Sequence, residues 1–218
     1  MIIGLVGPAG CGKGTVANLL LGKGYEPVAF ADTLKDVVSV VFGWRRDLLE
    51  GDTEESRAFR EMEDPWWTNK FGYPVTPRKM LQLMGTEAGR DVFHPDIWIH
   101  ALERQIDGVE DVVITDVRFP NEVEFVKSRG GKIVRLSRED PPHIRDLDNN
   151  GLSEASGLRL MEFMAINHPK VHLSEYAWFN QPIDFHIYND GTLEELKEKV
   201  DNLLTSIEKP NTLFHHPV

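Results

Sequence analysis

The chain is short of cysteine, of basic residues and of long apolar runs, and each shortage excludes something. One cysteine, Cys11, among 218 residues leaves no partner for an intrachain disulfide. A reducing, cytoplasmic setting fits that usage. Basic residues number 24 against 35 acidic ones, for a formal charge of −11. A broad nucleic-acid or membrane surface needs a basic face, so neither partner is expected. No stretch approaches the roughly 18 apolar residues of a spanning helix. The N-terminus opens directly on an apolar strand pattern, so no signal peptide is expected either. Two guanine-switch motifs are missing as well. Asn69-Lys70-Phe71-Gly72 lacks the acid of N-K-x-D, and Asp116-Val117-Arg118-Phe119 lacks the glycine of D-x-x-G. His168 and His172 stand four apart, but Pro169 interrupts any helix there and the metalloprotease glutamate is absent, so no zinc site is expected.

What is present begins at residue 7. Gly7-Pro8-Ala9-Gly10-Cys11-Gly12-Lys13-Gly14-Thr15 follows the apolar run Met1–Val6 and precedes Val16–Leu21, where apolar residues recur at helical density. Strand, glycine loop and helix together make a phosphate site. The glycines let successive N–H groups converge, the helix N-terminus adds partial positive charge, and Lys13 adds a full one. Gly10, Cys11, Gly12, Lys13, Gly14 and Thr15 are therefore expected to cradle nucleotide phosphates. Cys11 is read as a small side chain tolerated in the loop, in preference to a redox sensor.

Length and an ordinary 41% apolar content suit one large domain with insertions. Pro27–Ala31 reads as a second strand, and a helix follows over Leu34–Phe42 with Asp32 or Thr33 as cap. Ligands of open α/β sheets bind beyond the carboxyl ends of strands, which places Asp32 and Lys35 near the phosphate loop. For Asp32, cap and site residue remain equal readings. Residues 43 to 76 are highly charged and read as an insertion over the site, with a helix from Thr53 to Met62, after which Asp64-Pro65-Trp66-Trp67 leads into a loop containing Gly72 and Pro74. Trp66 and Trp67 are expected to cover a core edge. Thr76-Pro77 is a strong helix start. On that helix Arg78, Gln82 and Gly85 or Thr86 fall on one face, suited to a small anion with a hydrogen-bonding ring. Gly85 and Gly89, costly in a helix, point to close approach of something, and Arg90 belongs to the same run. Pro95–Ile106 is a further helix in which Trp98 is either core or a base platform.

Val112–Asp116 reads as a buried strand ending in an acid, placed to hold Mg²⁺. Arg118, two residues on, suits neutralising charge on a transferring phosphoryl group. After the strand 132–136 comes a region to about 180 with Arg138, His143, Arg145 and Arg159, read as a lid whose helix starts after Ser153. Leu158, Met161, Phe163, Met164 and Ile166 are expected as its apolar contacts. Phe185–Tyr188 is a last strand, Asn189-Asp190-Gly191 a turn, and Thr192 to Glu195 a capping box. Residues 208–218 read as an irregular tail, with no role for His215 or His216.

The loop form G-x-x-G-x-G-K-G-T resembles that of nucleoside monophosphate kinases, in which Mg²⁺ is held largely by phosphate oxygens, water and residues outside the loop. Taken in order, GKGT, FADTLK, RKMLQLMGTEAGRD with Trp98, ITDVRFPNE, HLSE and NDGTLEEL resemble the phage-type deoxynucleoside monophosphate kinases. The resemblance spans residues 1 to about 207. It implies an α/β P-loop kinase fold, a mostly parallel sheet flanked by helices, with the 43–76 insertion and the 137–180 lid. It also implies ATP-dependent phosphorylation of a deoxynucleoside 5′-monophosphate with Mg²⁺, in a homodimer. On that likeness Lys13, Thr15 and Asn189 would serve ATP. Asp32, Lys35, Arg78, Gln82, Gly85, Thr86, Arg90 and Trp98 would serve the acceptor, and Asp116, Arg118 and Arg138 the transfer. The alternative is a P-loop kinase acting on a hydroxyl of a nucleoside or of a modified base in DNA, with Asp32 as its base.

Overall fold

The N-terminal apolar run becomes β1 (Ile2–Val6), with Ile3, Leu5 and Val6 fully buried. A strand with no polar alternation must be covered on both faces, and this one is. The computed structural model describes residues 1–208, so all of the expected tail but Glu208, which ends a helix, lies outside the described residues. After the glycine loop come α1 (Lys13–Leu21) and the short β2 (Glu26–Val28). Next are α2 (Ala31–Phe42), α3 (Glu54–Glu61), α4 (Pro65–Phe71), α5 (Pro77–Leu83), a π-helical segment (Met84–Phe93) and α6 (Ile97–Gln105). The chain closes with β3 (Val112–Ile114), α7 (Pro120–Ser128), β4 (Lys132–Ser137), α8 (Pro142–Asn149), α9 (Gly157–Asn167), β5 (Phe185–Tyr188) and α10 (Leu193–Glu208).

Two compact units divide these elements: Met1–Pro27 with the chain from Val109 onward, and Val28–Gly108. The first unit is built on the sheet, whose strand order is β2-β3-β1-β4-β5. The ladders β1–β3, β1–β4 and β4–β5 are all parallel. On one face α1 and α10 bury Val16, Leu20, Leu196, Val200 and Leu203 against Leu5, Val113, Leu136 and Ile187. On the other, Val126 of α7 and Val117 pack so closely over Gly4 that a Cβ there would meet them at 3.2 and 3.0 Å. Helices on both faces of a mostly parallel sheet make the α/β fold that the sequence predicts.

In the second unit several expectations change. The strand expected over 27–31 ends at Val28, because Asp32 Oδ2 accepts the Ala29 N–H at 2.9 Å and turns the chain into α2. Asp32 is thus inside the first turn, and the N-cap is Phe30. The stretch after Asp64 is a helix that runs through Trp67 to Phe71, so the expected loop begins only at Gly72. Asp64 caps it by accepting from Trp66 N and Trp67 N, and Gly72 ends it in the left-handed conformation. Trp67 donates to Phe42 O and rings with Phe42 and Phe71, as a core-edge residue does, whereas Trp66 is 59% exposed. The Thr76 cap with Pro77 at the first position is as expected.

Within the first unit, the lid region also differs from its reading. Pro142 opens α8, which the sequence reading did not include, and α9 starts after Ser156, whose side chain caps Arg159 N. Only Leu160 and Met164 of α9 are buried, while Leu158 and Ile166 are exposed. The core of this region comes from Ile144, Leu147, Leu152, Trp178 and Phe179. The closing capping box forms as expected, with Thr192 and Glu195 exchanging bonds of 2.7 and 3.2 Å. No helix among the described residues is long and apolar enough to cross a membrane.

Candidate active site

In the first unit the carboxyl ends of β1, β3, β4 and β5 gather at one edge of the sheet. The chain runs from β1 out to β2, returns through β3 beside β1, and then crosses to β4 on the other side of β1. That reversal puts the loop after β1 at a topological switch point, where open α/β sheets bind ligands. Lys13 follows β1, Asp116 and Arg118 follow β3, Arg138 follows β4, and Asn189 follows β5. Five expected site residues therefore share one edge.

The loop is shaped by its glycines. Gly7 has φ of 141°, and a Cβ there would lie 2.3 Å from Leu136 O, so the loop runs directly against β4. Gly12 has φ of 106°, and its missing Cβ leaves room for Asn189 Nδ2, which would be 2.4 Å away. That amide donates to Cys11 O at 3.0 Å, while Asn189 N donates to Ser137 O at 2.7 Å. Asn189 thus ties the loop to the ends of two strands.

Lys13 Nζ curls back to donate to Gly7 O at 2.7 Å and Pro8 O at 2.9 Å. Burial pushes its ammonium below the usual lysine range, and Arg118 works in the same direction against Cys11 and Glu175. Burial likewise pushes the Cys11 thiol up, with nearby Lys13 opposing it. A buried, protonated thiol has little nucleophilic character, which agrees with reading Cys11 as loop packing. Thr15 and Gly14 stand exposed at the start of α1.

Arg118 is held from two sides. Its backbone N–H donates to Glu122 Oε2 at 2.7 Å, and its Nη1 meets Glu175 Oε1 at 3.2 Å and Ser174 Oγ at 3.5 Å. Glu122 is 99% buried and also accepts Phe119 N at 3.1 Å, capping α7 above Pro120. Both glutamates close segments that carry the resemblance, ITDVRFPNE and HLSE, but no role is expected of either from sequence. Pro at the first helical position followed by Glu two residues later signals Glu122. Glu175 lies 57 residues from Arg118, and no spacing announces it. Arg138 is exposed, and no partner holds its guanidinium among the described residues.

Asp116 stands half-buried just beyond β3. Magnesium typically takes one or two carboxylates plus substrate phosphates, with water completing the octahedron. A single carboxylate beside a phosphate loop fits that donor set. The one group of three metal-ligand types close together among the described residues is elsewhere, at His94, Asp96 and His100. There His94 Nδ1 already accepts the Asp96 N–H at 3.0 Å.

In the second unit the expected acceptor residues form two groups. Asp32 takes Lys35 at 3.3 Å and Arg46 at 3.2 Å, Lys35 also reaches Glu50 at 2.6 Å, and Arg46 joins Asp36 and Glu50. Both carboxylate oxygens of Asp32 are engaged, one by these cations and the other by Ala29 N. Arg46 and Glu50 complete a network that was read only as a charged stretch.

The second group is organised by the π-helical segment. Its i→i+5 bonding widens the turn, so the expected α-helical alignment of Thr86 with Arg78 and Gln82 does not carry past Met84. Gly85 and Gly89 do mark close approach, and what approaches is the protein. A Cβ on Gly89 would lie 2.7 Å from both Trp98 Cζ2 and Met84 O, and one on Gly85 would lie 2.9 Å from Leu34. Trp98 is buried, and its Nε1 donates to Gly85 O at 2.8 Å. Arg90 Nη1 donates to the same oxygen at 2.7 Å. Of the two readings of Trp98, the structure selects core. Arg78 pairs with Glu61 of α3, and Gln82 and Thr86 lie part-exposed nearby in sequence.

No protein-family model matches the chain. It is 34% identical over 152 residues to a protein of Acanthamoeba polyphaga mimivirus named deoxynucleotide monophosphate kinase, covering 63% of this chain and 74% of that one. It is 31% identical over 182 residues to the deoxynucleoside-5′-monophosphate kinase of Escherichia phage T5, covering 58% of this chain and 72% of the relative. Among solved structures, dephospho-CoA kinase from Campylobacter jejuni superposes with a TM-score of 0.47 at 15% identity, over 97% of this chain and 98% of that one.

Proposed function

The chain belongs to the deoxynucleoside monophosphate kinases, and from that membership we propose how its residues divide the work of ATP-dependent transfer to a deoxynucleoside 5′-monophosphate. ATP seats on Gly10–Thr15, with loop N–H groups and Lys13 meeting its phosphates and Asn189 fixing the loop. Arg118 and Arg138 neutralise charge on the phosphoryl group in flight. Asp116 would hold Mg²⁺, which when bound would offset charge on the phosphates. Arg78, Gln82 and Thr86 bind the acceptor. Trp98 and Arg90 support it indirectly, through the carbonyl of Gly85. We further propose a homodimer acting in the cytoplasm, as the resemblance to the phage-type kinases implies.

The observation that carries a phosphate acceptor over a hydroxyl one is the state of Asp32. A hydroxyl needs a positioned base to take its proton during transfer. Asp32 is the carboxylate first suited to that task, and its oxygens are committed to Ala29 N, Lys35 and Arg46. A phosphate monoester has its second pKa near about 6 and is already ionised at neutral pH. It needs cations to bring two anions together and no base. A coupled assay with ATP against each deoxynucleoside monophosphate, the matching nucleosides and duplex DNA tests the reading. Turnover with monophosphates alone is expected. Phosphorylation of a nucleoside or of DNA, stopped by Asp32→Asn, would show the hydroxyl reading to be right.

A further inference from the structure

We infer that Glu175 is a positioning residue for phosphoryl transfer, fixing the guanidinium of Arg118 at the phosphate loop; this rests on the reading of Arg118 as a transfer residue. The carboxylate points where a site for polyanions would least welcome one. It meets Arg118 Nη1 at 3.2 Å, with Ser174 Oγ beside it at 3.5 Å. It also lies in the field of Lys13, raising that ammonium's affinity for its proton while Arg118 lowers it. Negative charge at that place repels incoming phosphates, so its presence calls for a compensating role.

Stability does not supply one. The two side chains are 43% and 32% exposed, and pairs as exposed as this stabilise a fold very little. Rigidity does. Glu175 ends a 3-10 turn (Leu173–Glu175) whose first amides are capped by His172, with Ser174 N on His172 Nδ1 at 3.3 Å. Glu175 N donates to His172 O at 3.0 Å, and Glu175 O accepts Trp178 Nε1 at 3.1 Å. Trp178 is 1% exposed and Phe179 3%, so the turn stands on packed aromatic core. Arg118 has a long, many-rotamer side chain, and its fork is useful only when held. The backbone of Arg118 is fixed by Glu122 and its guanidinium tip by Glu175. Nη1 is the one guanidinium nitrogen with a partner among the described residues, which leaves Nη2 and Nε to meet phosphate oxygens.

A double-mutant cycle on the full chain tests this, with ATP and a monophosphate substrate. Glu175→Gln and Glu175→Ala should each lower kcat about 10- to 100-fold, as a misplaced catalytic group does. The KM for the monophosphate should change less than about threefold, and the melting temperature should hold within about 2 °C. Arg118→Ala should fall further, and Glu175→Ala added to it should cost no more than about threefold, because the second residue acts only through the first. Losses that multiply in the double mutant, or wild-type kcat in both Glu175 variants, would overturn the inference while leaving Arg118 in its role. Wild-type turnover in Arg118→Ala would instead remove the reading of Arg118, and the inference with it.

Discussion

Asn189 and Cys11, 178 residues apart in sequence, are joined by a 3.0 Å hydrogen bond from the side-chain amide of one to the carbonyl of the other. The bond fixes the crest of the phosphate loop from the end of the edge strand. Asn189→Ala removes it, and one such bond is worth about 1 kcal/mol. The KM for ATP should rise about fivefold, with kcat and the acceptor KM little changed. A steady-state titration of ATP against the variant checks this, and an unchanged ATP KM would leave the amide as a strand-end ornament.

Lys13→Ala removes the one full positive charge of the loop. Loss of a preorganised charge contact to the transferring group costs about 100- to 1000-fold in kcat. The fold should survive, because the ammonium bonds only to loop carbonyls and the neighbouring thiol. Turnover and circular dichroism on the same sample separate the two effects.

Asp116→Asn keeps the shape of the side chain and removes its charge. Activity should drop at least about tenfold at ordinary Mg²⁺, and added Mg²⁺ should restore little of it. A Mg²⁺ titration of wild type and variant reads this directly. Full recovery at high Mg²⁺ would reduce Asp116 to a contributor to affinity alone, and unchanged activity would make it a strand-end structural residue.

Gly89→Ala forces a methyl to within 2.7 Å of the Trp98 ring and the Met84 carbonyl. Overpacking of this kind costs about 1–3 kcal/mol, or several degrees in melting temperature for a chain of this size. Gly157, at the start of α9 with nothing within 4 Å of a built Cβ, is the control, and Gly157→Ala should melt within about 1 °C of wild type. Equal melting of all three proteins would show that the π-helical segment yields to the methyl.

Acid should loosen the charge network of the second unit. Burial opposes the charge of Glu50, yet contacts with Lys35 and Arg46 hold its carboxyl below the usual glutamate range. A carboxyl lowered on folding gives stability that is complete above its unfolded value and is lost as pH falls through its folded value. That loss begins near the ordinary value of about 4.3 and proceeds downward. Thermal melts of wild type and Glu50→Gln should therefore differ at neutral pH and converge as acid protonates the carboxyl, and a constant gap would exclude Glu50 as the titrating group.

The donor half of the site was legible in the sequence because its signals are local. Four loop glycines, lysine and apolar residues in sequence order encode a strand, a loop and a helix, and each strand end carries its own polar residue. The π-helical segment was not legible. Its apolar pattern continues that of α5, and only the widths around Gly85 and Gly89, set by Leu34 and Trp98, distinguish it from α-helix. Those contacts explain the two glycines that the sequence could describe only as costly. The helix at Pro65 is short and is followed by Gly72 and Pro74, which are loop signals, although Asp64 before Pro65 is a cap signal. Glu175 lies in the HLSE segment, but its pairing with Arg118 was not legible, because ion pairs across 57 residues leave no periodic trace. The exposure of Leu158 and Ile166 on α9 shows the same limit, since helical spacing identifies a face but not what covers it.

The central strand of the sheet is also the first of its five strands to be synthesised. β1 ends at Val6, yet its neighbours are β3, beginning at Val112, and β4, ending at Ser137. Translation at about 5–20 residues per second therefore leaves this apolar segment without its strand partners for on the order of ten seconds. The residues 28–108 emerge during that wait, and they form a compact unit of their own. During synthesis, then, the nascent chain carries a bare, β-prone segment ahead of residues 28–108. That segment is the stretch that chaperones must shield and aggregation would seize first.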